Sequence, residues 1–184
     1  MAAAVLRSRV GWALVAIVAA SAVPVAWYLG SPLFTNTMVQ ESFPGGAMSA
    51  TSAPGAESAV AAPNPAGPIA VGSGQFSMID AVHKGEGTAA LFKLPNGGRV
   101  LRLEGFRVTN GPDLFVYLSG HPAPRDSRQL HEGGAFEIAR LKGNVGDQNY
   151  ELPADLDLSA VKSVVIYCRQ FSVVFSTAEL ASNP

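Results

Sequence analysis

Apolar residues are laid out along this chain in two unlike ways. From Val10 to Leu29 they run on with no charged side chain between them; beyond Gly74 they come in short β-branched and aromatic runs, broken by Gly, Pro, Asn and Asp at intervals of roughly 8 to 15 residues. The second pattern has the rhythm of a β-sandwich or barrel. Residues 88–94 alternate, with Ala90, Phe92 and Leu94 on one face, and Asn96-Gly97 then reads as a hairpin turn before the run 100–103. Further strands are predicted at 75–79, 106–109, 114–118, 136–141, 163–168 and 171–175, and one closing helical turn at 177–181. No helix of the length a parallel α/β sheet requires lies between these runs. The fold expected is all-β, a single antiparallel sandwich.

The first pattern reads as a membrane anchor. About 20 residues at roughly 1.5 Å each span about 30 Å, the thickness of a bilayer's hydrocarbon core. Trp12 stands near one end and Trp27 and Tyr28 at the other, where amphipathic rings prefer the interface, and Pro24 is tolerated better in a membrane helix than in a soluble one. Arg7 and Arg9 precede the stretch and no Lys or Arg follows until Lys84, so residues 1–9 are expected in the cytoplasm, 10–30 in the membrane and everything later outside. Ala20-Ser21-Ala22 offers the alternative of a cleaved signal segment with a cut after Ala22, which places the domain on the same side.

Residues 31–73, rich in Ala, Pro, Gly and Ser, carry only Glu41 and Glu57 as charges and show no period, so they read as a disordered tether. The folded domain is expected over 74–184. Its roughly 110 residues bury close to two-thirds of the unfolded chain's surface, enough for stability without a disulfide. With one cysteine the chain can form no internal disulfide. Net charge is −1 with Lys and Arg interspersed among Asp and Glu, which removes any electrostatic footprint for nucleic acid.

That one cysteine lies in the run 163–168. Strand alternation places Val164, Ile166 and Cys168 on one face and Val165, Tyr167 and Arg169 on the other. Cys168 then reads either as a small buried hydrophobe or as a thiol outside the cell that is shared with another molecule or used in chemistry. Arg169 is adjacent in sequence but points away in a regular strand.

The ordered series Gln75-Phe76, His83 with Gly85 and Gly87, Leu101-x-Leu103-x-x-Phe106, Gly111-Pro112-Asp113-Leu114, Tyr117-Leu118, Leu141-Lys142, Gly146-x-Gln148-x-Tyr150-x-Leu152-Pro153, and the run from Ser163 to Cys168 ending in Phe171-Ser172-Val173-x-Phe175 resembles the electron-transfer domain named DM-thirteen. That family includes the extracellular Skeletor and Knickkopf proteins. The resemblance covers about residues 74–181 and implies a β-sandwich, DOMON-like, with a redox-active cysteine at the position of Cys168. Tyr167 stands where the family often has Trp.

Other candidates are weaker. Asp80 and His83 form either an acid–base pair or a hydrogen-bonded turn; His121 and His131 lack metal-ligand spacing. Asp113 fits a turn, and Asp155 and Asp157 resemble half of a calcium loop without its remaining ligands. There is no nucleophile elbow, phosphate-cradling loop or covalent haem motif. The leading expectation is a membrane-anchored, extracytoplasmic redox module in which Cys168, with Asp80, His83, Asp113, Tyr167 and Arg169 as supporting candidates, works with a partner protein or a cofactor. No motif encodes a cofactor; noncovalent haem fits the company that the family keeps. The alternative is a non-catalytic module whose loops bind a cell-envelope component.

Overall fold

The apolar faces of the strand runs converge on one core. The computed structural model describes residues 12–13, 16–18, 20–22, 35–44 and 67–182. Residues 12–13, 16–18 and 20–22 are helical and exposed. Among the described residues no helix is long and apolar enough to cross a membrane. Most of the expected anchor, 10–30, and much of the expected tether lie outside the described residues.

The strands are β1 (Met38–Gln40), β2 (Ile69–Met78), β3 (Gly85–Lys93), β4 (Arg99–Val108), β5 (Leu114–Ser119), β6 (Phe136–Arg140), β7 (Val145–Leu152), β8 (Ser163–Cys168), β9 (Val173–Glu179) and β10 (Ala181–Ser182); α1 is Ser127–Glu132. They hydrogen-bond in the order β1-β7-β4-β3-β2-β9-β8-β5-β6, with β10 beside β2. Strand β2 joins two wings: its first part pairs with β3 and Phe76 to Met78 pair with β9. The sheet therefore curls, and the wings face each other across a core that includes Leu91, Leu101, Leu103 and Phe106 from one side and Leu114, Val116, Val164, Ile166, Cys168 and Phe175 from the other. Burying such faces is the dominant favourable contribution to folding.

The all-β expectation holds, and every strand pair is antiparallel except β1 with β7, which is parallel. The hairpin turn sits where expected, with Gly97 at φ 82° and its amide donating to the Leu94 carbonyl at 2.9 Å. Runs 100–103 and 106–109 merge into the single strand β4, interrupted by a register shift against β7 between Leu103 and Phe106, with Gly105 at φ 54°. Residues 177–181, expected to form a helical turn, instead continue β9 and enter β10. The reason is burial on both faces: Val174, Phe175, Ser176, Thr177 and Ala178 are all buried, so the run shows no alternation.

The largest departure concerns the tether. Residues 36–43 are fastened to β7 and β4 rather than free. The Asn144 side chain accepts from the Thr37 amide at 2.7 Å, and the Glu41 carboxylate accepts from Lys142 Nζ at 2.8 Å and from the Asn149 amide at 2.7 Å. Arg102, buried in the sheet, donates to the Glu41 carbonyl at 2.6 Å and to Asp147 at 3.0 Å. Composition averaged over 31–73 hides these few residues, because their partners lie about a hundred positions away in sequence. Pairing of β1 with β7 also requires glycine at 146. Its φ is 104°, and a β-carbon there would collide with the Val39 carbonyl oxygen.

Gly146→Ala is accordingly expected to expel β1 and to cost about 2 kcal/mol of stability. Limited proteolysis with mass mapping checks it: new cleavage within residues 36–44 is the outcome expected, whereas protection equal to that of the native chain would contradict the strap.

Candidate functional site

Strand β8 carries both sets of residues from which a redox site could be built, one on each face. It lies between β5 and β9: Cys168 is opposite Leu114 on one side and Val173 on the other. The alternation read from sequence is what the structure shows. Val164, Ile166 and Cys168 enter the main core, while Val165 and Tyr167 enter a second apolar cluster on the other face.

Cys168 is 0% exposed and free. Of the two readings of Cys168, the structure agrees with the small buried hydrophobe and not with a thiol reachable from solvent, because both faces of its strand are covered and both of its edges are paired. Immediately after it the chain turns through Ser172, at φ 55°, and Phe171 stands 60% exposed at that turn. Arg169 is engaged on the other face of the strand. Its guanidinium lies 3.6 Å above the Phe115 ring, donates to both oxygens of Glu137 at 3.2 and 3.3 Å, and approaches Asp113 at 3.5 Å.

The second cluster was not legible as a site. Phe115, Tyr117, Val165, Tyr167 and Val174 line the outer face of this wing, and Leu130 of α1 covers them. Asp126 caps that helix, accepting from the Gln129 amide at 2.8 Å. The rings of Tyr117 and Tyr167 meet edge to face with centroids 5.5 Å apart. Tyr117 donates its hydroxyl hydrogen to the Glu137 carboxylate, and the Tyr167 hydroxyl lies 2.8 Å from Ser127 Oγ. Burial pushes the Tyr117 phenol up, and its hydrogen bond to Glu137 and that carboxylate's charge push it further. A cross-strand aromatic pair on β5 and β8 could have been read from the alternation of Phe115 and Tyr117 with Tyr167. Glu137, on β6, carried no signal.

The remaining candidates lie elsewhere. Asp80 Oδ2 is 2.8 Å from His83 Nδ1, and its other oxygen accepts from the Val82 and His83 amides, each at 2.7 Å. The His83 ring packs against Phe175 with centroids 4.5 Å apart. The hydrogen bond from the His83 side chain, followed by those from the two amides, holds the Asp80 carboxyl down at about 2. His121 Nδ1 accepts from the Ala123 amide at 3.2 Å, and His131 Nδ1 lies 2.6 Å from the Ser127 carbonyl. Asp157 caps a short 3₁₀ turn, accepting from the Ser159 amide at 2.9 Å. Among the described residues no group of three His, Cys, Asp or Glu side chains could hold a metal ion. Two grooves lie beside Pro44, one lined by Leu94, Arg99 and Val100 and the other by Ile138, Lys142 and Tyr150.

A family model described as Electron transfer DM13 matches residues 75–180. No curated protein and no solved structure matches the chain.

Two outcomes follow. In the native full chain, Cys168 is expected to resist a maleimide and to react fully once the chain is unfolded in guanidinium; mass spectrometry counts the adduct, and rapid native labelling would contradict the sealed sulfur. For Asp80 the depressed folded value means that its pairing supports the loop above 3.8 and that this support is lost as pH falls through about 2. A carboxyl titration followed by NMR should therefore place its midpoint near the lower value, and a midpoint at 3.8 would contradict the pairing.

Proposed function

The chain belongs to the electron transfer DM13 family, and on that premise we propose that it is an electron-transfer module held on the outer side of a membrane by residues 10–30 and working with a partner protein. One observation carries the reading: the family match spans 75–180, which is nearly all of the β-domain. The membrane half of the proposal is supported by the uncharged stretch from Val10 to Leu29 behind Arg7 and Arg9. The curled sandwich, DOMON-like in this proposal, is the scaffold.

The burial of Cys168 selects among mechanisms. Thiol–disulfide exchange needs a thiolate sulfur in line with the disulfide it attacks, and a side chain with no exposed surface cannot reach one while β8 stays paired to β5 and β9. Electrons, by contrast, pass through packed side chains without contact between the reacting molecules. Cys168 therefore enters this proposal as a buried sulfur beside an electron path. Asp80 with His83 and Asp113 with Arg169 enter as structural pairs, and Tyr167 and Arg169 belong to the other face of the strand.

Carbonate extraction and a mediator titration test the two halves. The full chain is expected to stay with the membrane pellet, to lose its β-domain to protease added outside the cell, and, once purified, to exchange electrons reversibly with one-electron mediators. A chain released by carbonate would contradict the anchor. A chain that stays redox-silent over the whole range that water tolerates would contradict the electron-transfer role.

A further inference from the structure

The outer face of the β5–β8 wing holds a buried phenol next to a base. Tyr117 is 8% exposed and Tyr167 5%, and the hydroxyl of the first ends on the Glu137 carboxylate. A phenol that gives up one electron becomes so acidic that its proton must leave as well, and inside a protein it leaves only if an acceptor is already hydrogen-bonded to it. Glu137 is such an acceptor. Its charge is held by Arg169 at 3.2 Å, and on taking a proton it leaves Arg169 still paired with Asp113 at 3.5 Å, so no cation is orphaned. Protonating Glu137, whose side chain is 37% exposed to water, is cheaper than placing a positive ring in a low-dielectric site.

Tyr150 shows the opposite arrangement within the same domain. Its hydroxyl donates to the neutral amide oxygen of Gln148 at 2.7 Å, which is no base, and Lys142 Nζ stands 5.1 Å from its ring centroid, where a cation opposes oxidation of the ring. One buried tyrosine is thus equipped to lose an electron and a proton together, and another is not.

We propose that Tyr117, with Glu137 as its proton acceptor and Tyr167 as the adjoining ring, is a one-electron relay. The proposal rests on the electron-transfer reading above. In the forward step a one-electron oxidant, an oxidised metal centre on a partner protein, takes an electron from Tyr117; the phenolic O–H bond breaks, its proton moves to Glu137, and the products are a neutral tyrosyl radical, a neutral carboxylic acid and the reduced metal centre. In the return step a one-electron donor reduces the radical and the proton goes back from Glu137 to the phenolic oxygen. Tyr167, whose ring meets that of Tyr117 at 5.5 Å, extends the path towards α1 and precedes Cys168 in the chain. Its own hydroxyl faces Ser127, a neutral partner, so the radical settles on Tyr117.

The test uses the purified full chain and a photogenerated ruthenium(III) tris-bipyridine oxidant, read by the transient absorption and electron paramagnetic resonance of a neutral tyrosyl radical. Because the oxidant is supplied, the outcome does not depend on the natural partner. The native chain is expected to form the radical with a solvent deuterium isotope effect, and Tyr150→Phe to leave it unchanged. Tyr117→Phe should abolish it, and Glu137→Gln, which keeps a hydrogen-bond acceptor but removes the base, should slow its formation by about tenfold or more. Thermal unfolding of each variant checks the fold; should Tyr117→Phe not fold, Glu137→Gln carries the test. A radical that survives Tyr117→Phe, or a Glu137→Gln rate equal to that of the native chain, overturns the relay. The electron-transfer role would then be untouched, since the mediator titration decides it separately.

Discussion

The covering of strand β8 on both faces governs this structure. Every one of its six residues is buried: Val164, Ile166 and Cys168 against the opposite wing, Val165 and Tyr167 beneath α1, and Ser163 with its hydroxyl donating to the His121 carbonyl. A strand in this position cannot offer its side chains to solvent on either side, and its backbone groups are bonded on both edges. The chemistry available to the domain follows from that geometry. The single thiol is held away from other molecules, and the polar groups that could assist it, Arg169 and Asp113, are engaged with Glu137 and Phe115 on the other face.

The same covering makes the outer cluster more than a patch of surface aromatics. Leu130 and the capped turn of α1 cover Tyr117 and Tyr167, while Glu137, the carboxylate that accepts from Tyr117, stands at the solvent edge of the cluster with its side chain 37% exposed. On the far wing, Arg102 has an analogous task of a purely structural kind: it gathers Glu41, Glu104, Asp147 and Asn149, so that a segment distant in sequence is locked onto β7. No buried side-chain polar atom lacks a partner among the described residues. This fits a domain that stands without a disulfide.

Much of this was legible in the sequence because alternation is a local property. The two-faced reading of 163–168 gave the correct side for Val164 to Cys168, and Asn96-Gly97 gave the hairpin. Strand β7 escaped notice because its core-facing positions include the buried Gln148, whose amide is satisfied by Gly143 and Tyr150, so polarity did not mark the solvent side. Helix α1 is a turn and a half long with Leu130 as its one buried residue, too short to show a helical period; Asp126 at its start and Gly133 at its end were the signals available. The strap at 36–43 and the Tyr117–Glu137 pair depend on partners far along the chain, which no window of the sequence displays. The motif series did reach the family, and the match over 75–180 agrees with it.

Whether β8 stays closed under native conditions decides between a sealed sulfur and one exposed by opening. Native-state hydrogen exchange of the β8 amides, followed residue by residue across a series of denaturant concentrations, measures that directly. The result expected is that Val165 to Cys168 exchange only with global unfolding, at the slowest rates in the domain. Exchange of Tyr167 and Cys168 by a low-energy local opening, while β4 and β5 stay protected, would contradict it and return the thiol to solution chemistry.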